Sequence, residues 1–98
     1  MAQVTDEQVE EVRALVASIP PGRVSTYGDI ASAAQLSSPR IVGWIMRTDS
    51  SDLPWHRVIS ASGRPAAHLA TRQLELLRAE GVLAKDGRVR LSETRHAF

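Results

Sequence analysis

The stretch STYGDIASAAQLSSPRIVGWIMRT, residues 25–48, decides the fold that this chain is expected to adopt. Thr26, with an aspartate three residues later, is a cap signal for a short helix over about residues 26–34. Ser38 followed by a proline is a second start signal, here for a helix over about residues 39–48. Two short helices joined by a tight turn predict a helix-turn-helix unit.

The second helix of this pair has two distinct faces. Arg40, Gly43 and Arg47 are spaced by three and four residues, so they share one face, which is basic and has a gap at the glycine. The apolar side chains are expected to face the core: Ile41, Val42, Ile45 and Met46.

A longer amphipathic helix is expected before this unit. Thr5 and Gln8 form a capping-box pattern, and apolar residues then recur at helical spacing up to Ile19. Pro20-Pro21-Gly22 ends the helix. The four acids within residues 1–11 suit the positive end of its dipole.

A strand and a further helix are expected after residue 48. Arg57-Val58-Ile59 reads as a short strand, and a turn at residues 62–65 leads to a helix over about residues 67–80. Gly81 stands where a C-terminal cap belongs. The side chains of this helix that are expected in the core are Leu69, Leu74, Leu76 and Leu77.

A β-hairpin is expected near the C-terminus. Asp86-Gly87 is a strong signal for a two-residue turn, between Val82-Leu83 and Val89-Arg90-Leu91 as strands. Together the elements predict a mostly helical α+β fold, a winged helix-turn-helix with a small β-hairpin wing. A single domain over residues 1–98 is expected, because a chain of this size suits one core.

The composition excludes several kinds of site. Cysteine is absent, which rules out disulfides, thiolate metal sites and thiol nucleophiles. His56, His68 and His96 show no metal-ligand spacing, so neither a metal nor a cofactor is implied. No segment approaches the roughly 20 apolar residues of a membrane span, and the N-terminus lacks a signal-peptide pattern. We therefore predict a cytoplasmic protein, nucleoid-associated if bacterial, that binds no membrane.

The basic residues are unevenly distributed. Residues 1–11 hold four of the 11 acids and none of the 12 bases, so the rest of the chain has 12 bases against 7 acids, a balance of +5. All the bases are arginines except Lys85. Arginine makes planar, multi-donor contacts with phosphates and bases, which favours a nucleic-acid partner. A genome rich in G and C would produce the same bias through its codons.

The stretch LPWHRVI, residues 53–59, places an indole beside a histidine and an arginine. From the residues alone, Trp55 is compatible with a core side chain, a stacking surface, or the occupant of a position where chemistry would be expected. Indole offers an N–H donor and no lone pair for attack, so Trp55 is not a nucleophile.

Four segments in this order resemble the DNA-binding domain of O6-alkylguanine-DNA alkyltransferases: IPPGRVSTYGDIA, PRIVGWIM, LPWHRVIS and LLRAEGV. The resemblance runs from about Ile19 to Val82. The repair enzymes carry the signature PCHRV, whose cysteine accepts the alkyl group, and Trp55 stands at that position here. This replacement is typical of the alkyltransferase-like proteins, a non-enzymatic branch of the family.

The resemblance implies a function in damage recognition. Alkyltransferase-like proteins bind alkylated guanine and pass the lesion to nucleotide excision repair without alkyl transfer. This chain is thus expected to bind double-stranded DNA containing O6-alkylguanine, as a monomer, and to recruit nucleotide-excision-repair proteins. The lesion is expected to flip into a pocket lined by Trp55.

The resemblance also assigns residues to DNA contacts. Arg40 matches the finger that enters the minor groove and replaces the rotated nucleotide, and Tyr27 matches the tyrosine that helps rotate the phosphate 3′ of the lesion. Without the resemblance, Arg40 reads as a solvated arginine and Tyr27 as an ordinary surface or core tyrosine. Four further residues are expected to contact DNA or let it approach: Ser25, Thr26, Gly43 and Arg47.

Two groups of residues are expected around the indole. His56 and Glu80 match the water relay to the thiol in the enzymes; with nothing to activate here, they are expected to form a structural network with Arg57. The lesion pocket is expected to comprise Trp55, Tyr27, Pro54, His56, Arg64 and His68.

Two departures limit what the resemblance transfers. Asp49 stands where the enzymes usually have a hinge asparagine, and its charge is expected to repel a nearby phosphate. The loop of residues 62–71 is shorter than in the enzymes, so lesion contacts there do not carry over.

Two other functions stay open from the sequence. A winged-helix transcriptional regulator would read undamaged DNA in the major groove and usually dimerise. Hydrolysis of the alkyl group by water activated at His56 and Glu80 is disfavoured, because an alkyl ether carbon needs a strong nucleophile.

Overall fold

Helix α1 spans Asp6–Ala17 and begins at the expected capping box. The computed structural model describes residues 4–98. The Thr5 hydroxyl accepts a hydrogen bond from the Gln8 backbone N–H at 3.1 Å, and the Gln8 side chain accepts one from the Thr5 N–H at 2.9 Å. Two donors that the first helical turn leaves unpaired are therefore satisfied.

Helices α2 (Tyr27–Ala33) and α3 (Pro39–Thr48) form the predicted helix-turn-helix unit. Both start at the expected caps, since the Thr26 and Ser38 hydroxyls accept backbone N–H groups at 3.0 and 3.1 Å. Gln35 turns the chain between them with a φ of 55°. Few residues other than glycine adopt this left-handed conformation, which explains how so short a connection reverses direction.

A parallel pair of two-residue strands joins this unit to the C-terminal half. Strand β1 (Ser25–Thr26) pairs with β2 (Val58–Ile59), Ser25 opposite Val58. The predicted strand started one residue too early. Arg57 is the last residue of a short 3₁₀ turn, Trp55–Arg57, and its backbone N–H donates to the Pro54 carbonyl rather than to a neighbouring strand.

Helix α4 spans Ala70–Ala79 and follows a 3₁₀ turn at Ala67–Leu69. Leu69 is 36% exposed, so the prediction that it faces the core is wrong. A 3₁₀ turn has about 3.0 residues per turn against about 3.6 in an α-helix, which rotates this side chain off the apolar stripe. Gln73, only 3% exposed, is buried instead. Gly81 ends the helix as predicted, with a φ of 87°.

The predicted hairpin forms, with shifted strands. Strand β3 (Ala84–Lys85) pairs antiparallel with β4 (Arg88–Val89). The turn residues Asp86-Gly87 have φ values of 54° and 75°, as a type I′ turn requires. The predicted strands at 82–83 and 89–91 are only partly correct: Val89 pairs within β4, whereas Val82 lies in the core outside the strands and a final helix begins at Leu91.

Helix α5 (Leu91–Thr94) follows the hairpin, and Arg95 directly after it forms a parallel β-bridge with Val24, next to β1.

Two apolar clusters hold these elements together. One cluster lies among α1, α2 and α3: Val12, Val16, Ile19, Ile30, Ala31, Val42, Ile45 and Val58. The other lies between the strands, α4 and the hairpin: Val24, Ile59, Leu77, Val82 and Val89.

The architecture is a mostly helical α+β winged helix-turn-helix with the hairpin as its wing, as the sequence predicts. The parallel pair lies where the two clusters meet, since Val58 belongs to one and Ile59 to the other. Trp55 thus lies on a turn anchored to both clusters. Within residues 4–98, no helix is long and apolar enough to cross a bilayer.

Candidate nucleic-acid interface

A groove of about 780 Å³ runs between α3 and the segment from the Trp55 turn to α4. None of its lining residues is acidic, and three are arginine or histidine. The lining residues are Tyr27, Arg40, Gly43, Trp44, Met46, Arg47, Thr48, Ser50, Ser51, Trp55, Val58, Ala66, His68, Leu69 and Gln73. A groove with one sign of charge concentrates ligands of the opposite sign, which favours an anionic partner.

Trp55 forms part of the groove wall and is only partly buried. Its backbone N–H donates to the Leu53 carbonyl at 2.7 Å, which fixes the start of the 3₁₀ turn. The His56 ring stands edge-on to the indole, with centroids 6.1 Å apart and planes at 88°. Trp55 is therefore not a fully buried core side chain, which was one of the roles left open from the residues alone. Part of its surface faces the groove instead.

An ionic network holds the Trp55–Arg57 turn in place. The Arg57 guanidinium donates to Glu80 from Nε at 3.0 Å and from Nη2 at 2.7 Å, and His56 Nε2 lies 2.8 Å from Glu80 Oε2. Arg57 also donates to the Ile19 carbonyl at 2.9 Å, and the Gly22 N–H donates to Glu80 at 3.2 Å. The structure thus brings the expected network of His56, Arg57 and Glu80 together and ties it to the end of α1.

The network keeps Glu80 ionised. Hydrogen bonds from Arg57, followed by those from His56 and the Gly22 N–H, lower the pKa of Glu80 from 4.5 to about 2, although burial acts in the opposite direction. An effective general base has a pKa near the working pH. Glu80 is therefore suited to hold Arg57 and His56 in place and poorly suited to activate water.

The exposed face of α3 borders the groove with two cations. Arg40 and Arg47 line it, and in the part of the chain that the structure describes neither forms an ion pair. A methyl group added at Gly43 would meet no protein atom within 4 Å, so packing does not require this glycine. The face predicted as basic with a gap is therefore present and open to a partner.

Trp44 is a groove residue that the sequence reasoning missed. It is 48% exposed and lies one helical turn after Arg40 on α3. A large apolar side chain is costly to leave in water. A signal was available, since positions 40, 44 and 47 share a helix face by their spacing.

Tyr27, the first residue of α2, lines the groove, and burial raises the pKa of its phenol. Ser25 and Thr26, expected to contact phosphates, are 0% and 2% exposed. Both belong to β1, and the Thr26 hydroxyl is already occupied by the Asp29 N–H as a helix cap. The structure therefore does not present either side chain to a phosphate, because strand pairing turns both into the interior.

The structure brings only some of the predicted pocket residues to the groove. His68 lines the groove with Trp55 and Tyr27, whereas Pro54, His56 and Arg64 do not. His56 points into the network at Glu80. Pro54 only caps the turn.

Arg64 is directed away from the groove by the wing. The preceding Gly63 is fixed against β4, since its carbonyl accepts the Val89 N–H at 2.8 Å and any Cβ there would clash with the Val89 carbonyl oxygen. The Arg64 guanidinium therefore reaches the hairpin turn, 3.5 Å from the Asp86 carbonyl oxygen.

Asp49, which stands where the enzymes usually have a hinge asparagine, shares the Arg13 guanidinium of helix α1 with Asp52. The Arg13 guanidinium donates to the Asp49 carbonyl at 2.8 Å and to its carboxylate at 3.3 Å, and it holds Asp52 at 2.6 Å. This contact lowers the pKa of Asp52. Because one arginine serves two carboxylates, this cluster keeps a net negative charge, and the expected repulsion between Asp49 and a phosphate stays a prediction. In the described chain no three histidine or acidic side chains gather as metal ligands.

Comparisons with known proteins agree with this geometry. Residues 7–82 match the family model for the DNA-binding domain of 6-O-methylguanine DNA methyltransferase. A DNA base-flipping protein of Escherichia coli is 40% identical over 85 residues, which cover 80% of this chain and 64% of the relative. Alkyltransferase-like protein 1 of Schizosaccharomyces pombe is 39% identical over 84 residues, covering 79% and 78%. The match therefore spans just under two thirds of the E. coli protein's length.

Solved structures show the same fold. S. pombe Atl1 in complex with damaged DNA containing O6-carboxymethylguanine has a TM-score of 0.86 at 32% identity, over 96% of this chain and 98% of that one. The O6-methylguanine methyltransferase of Mycobacterium tuberculosis has a TM-score of 0.67 at 30% identity, over 86% of this chain and 53% of the enzyme. With a family match over most of its length, this chain belongs to the family of 6-O-methylguanine DNA methyltransferase DNA-binding domains, among its alkyltransferase-like members.

Proposed function

We propose that this chain binds O6-alkylguanine in duplex DNA, with the lesion flipped into the groove beside Trp55 and no alkyl transfer. The observation that carries the proposal is the groove itself: a half-buried indole on a short 3₁₀ turn, opposite a helix face with two arginines that form no ion pair within residues 4–98. The S. pombe relative has been seen with damaged DNA, and the E. coli relative is named for base flipping.

The lack of alkyl transfer follows from the kinds of side chain that form the groove wall. Alkyl transfer requires a nucleophile whose lone pair attacks the alkyl carbon, and the chain has no cysteine to supply a thiolate. Trp55 offers a flat apolar surface in its place, and such a surface packs well against a purine ring. The ionised Glu80 behind it holds the turn in position.

Arg40 stabilises the flipped state in this proposal. Extruding a base costs a few kcal/mol of stacking and pairing. A guanidinium that enters the gap stacks between the neighbouring bases and donates hydrogen bonds to the orphaned partner, which offsets that cost. Arg40 lies in the first turn of α3, is exposed and has no acidic partner among residues 4–98, so insertion breaks no ion pair.

The output that we propose is recruitment of nucleotide-excision-repair proteins to a distorted site. Filling the minor groove from α3 and extruding a nucleotide bends the duplex and widens that groove. A monomer is sufficient for this role, because residues of a single chain line the groove. We propose that it acts in the cytoplasm.

The proposal is tested by comparing Arg40→Ala with Arg78→Ala on two duplexes at one salt concentration. Arg78 is an exposed arginine of α4 outside the groove, so it controls for loss of one positive charge. The wild type and Arg78→Ala are expected to prefer an O6-methylguanine duplex over its unmodified match by at least about tenfold, or about 1.4 kcal/mol. Arg40→Ala is expected to lose most of that preference.

Three results would contradict the proposal. One is the same preference in Arg40→Ala as in the control. Another is release of a labelled methyl group from the DNA. A third is a dimer that selects a palindrome in undamaged DNA, which would support the transcriptional regulator instead.

A further inference from the structure

The hairpin wing carries cations that the groove does not use. Arg64, Lys85 and Arg88 are exposed, and none of the three lines the groove. Over the described range, 4–98, none of them forms an ion pair. We call these three side chains the wing-tip cations.

The fold brings the wing-tip cations together from two distant segments. Lys85 and Arg88 lie directly opposite one another in the β3–β4 pair, so their side chains share one face of the hairpin. The Arg64 guanidinium reaches the same turn, with Nη1 3.5 Å from the Asp86 carbonyl oxygen. Arg88 in turn packs along the loop before Arg64, since its Cγ lies 3.0 Å from where a Cβ at Gly63 would stand. All three cations therefore gather at the end of the hairpin.

The charge of this cluster is not balanced. Asp86 is its one acid; it is exposed and pairs with no base in the part of the chain that the structure describes, so the cluster has a net charge of +2. Like charges directly opposite each other in a hairpin destabilise it. A partner with closely spaced negative charges would relieve this repulsion. The backbone of duplex DNA has one such charge for about every 1.7 Å of its axis.

The wing tip lies beside the groove. Arg64 is two residues before Ala66, which forms part of the groove wall. The hairpin is attached to the same loop, because the Val89 N–H donates to the Gly63 carbonyl at 2.8 Å. A duplex that places a nucleotide in the groove continues past this wall, so its next phosphates pass the wing.

We propose that the wing-tip cations bind the phosphate backbone of the same duplex outside the groove, on one side of the flipped nucleotide. Only one flank is within reach, because a single wing borders a single wall. The inference rests on the binding of duplex DNA in the proposed function, but it does not require recognition of a lesion. It gives Arg64 a contact with the backbone in place of the expected contact with the base.

Such contacts have a measurable dependence on salt. Each phosphate that a cation neutralises contributes about 0.9 to the slope of log affinity against log salt concentration, because counterions are released. The phosphates are the same in modified and unmodified duplexes. Loss of one wing-tip cation should therefore lower the slope and leave the preference for the modified duplex unchanged.

The test compares Lys85→Gln and Arg88→Gln, made singly, with Arg78→Gln. Arg78 is an exposed arginine outside both the groove and the wing, so it controls for the loss of one charge. Each protein is titrated at several salt concentrations against an O6-methylguanine duplex and its unmodified match. Each wing variant is expected to lose about 0.9 from its slope. Raising the salt from about 50 to about 200 mM then costs it about threefold less affinity than it costs the wild type or Arg78→Gln.

Shortened duplexes test the assignment to one flank. Two duplexes are each cut back by most of a helical turn, about 10 base pairs, one on the 5′ side of the modified base and the other on the 3′ side. The slope difference between the wild type and Arg88→Gln is expected to vanish on one of them and to persist on the other. A difference that vanishes on both, or persists on both, would overturn the assignment.

The remaining outcomes separate this inference from the proposed function. Slopes in both wing variants equal to that of Arg78→Gln would show that the cations only protect the strand edges from association, which overturns the inference and leaves the proposed function standing. Loss of the preference for the modified duplex in a wing variant would also overturn it, because backbone contacts do not distinguish the two duplexes. A wild type without that preference would overturn the proposed function alone, since the slopes on unmodified DNA still test the wing.

Discussion

Replacing Glu80 by glutamine is expected to remove a pH-dependent part of the stability of the fold. The pKa of Glu80 falls from 4.5 to about 2 in the folded chain, mainly through Arg57. Its side chain is 15% exposed, so water screens the pair only weakly. At about 1.4 kcal/mol per pH unit, this lowering corresponds to roughly 3 kcal/mol in favour of the ionised folded state.

The sign of the pH dependence follows from the direction of the pKa change. Because the pKa is lower in the folded chain than in the unfolded chain, the stabilisation is complete above about pH 5 and is lost as the pH falls towards 2. For a domain of this length, roughly 3 kcal/mol corresponds to at least about 10 °C in Tm.

Thermal and urea unfolding between pH 7 and pH 2 measure this effect. Glu80→Gln is expected to be less stable than the wild type at pH 7, and the difference is expected to shrink steadily below about pH 4.5. Glu93→Gln is the matched control, because Glu93 is 65% exposed and its pair with Arg90 at 3.5 Å lies on the surface. Equal stability at pH 7, or a difference that stays constant down to pH 2, would show that ionised Glu80 does not stabilise the fold.

Two further substitutions probe the α3 face. Trp44→Ala is expected to weaken binding to modified and unmodified duplexes alike by about fivefold, because this exposed indole of the groove is available to pack against DNA. Leu83→Ala, exposed but outside the groove, should change neither titration. Gly43→Ala is expected to raise stability by up to about 1 kcal/mol, because the added methyl meets no atom and alanine favours helix. The same change should weaken DNA binding by filling the gap, so tighter binding by this variant would contradict the account.

The elements that local chemistry defines could be predicted from the sequence. Thr5, Thr26 and Ser38 cap helices where their side chains predict, and Asp86-Gly87 makes the expected type I′ turn. Each of these signals depends on residues within four positions of one another. The network of His56, Arg57 and Glu80 was predicted only through the resemblance, because Glu80 lies more than 20 residues along the chain from the other two.

The features that were missed depend on contacts between distant segments. Strand β1 has only two residues, too few for a recognisable alternation, and its pairing with β2 is what buries Ser25 and Thr26. Arg64 was placed in the pocket because nothing local shows that Gly63 is fixed against the hairpin. No local signal indicates that Gln73 is buried, because its side chain donates to the backbone carbonyls of His56 and Val58, more than ten residues away.

In the proposed function, the groove beside Trp55 distinguishes alkylated guanine from guanine in a duplex. The most direct measurement is the equilibrium affinity of the wild-type chain for two duplexes that differ only in one O6-methyl group, at the same salt concentration. We expect at least about tenfold tighter binding to the modified duplex, or about 1.4 kcal/mol. Equal affinities for the two duplexes would contradict it.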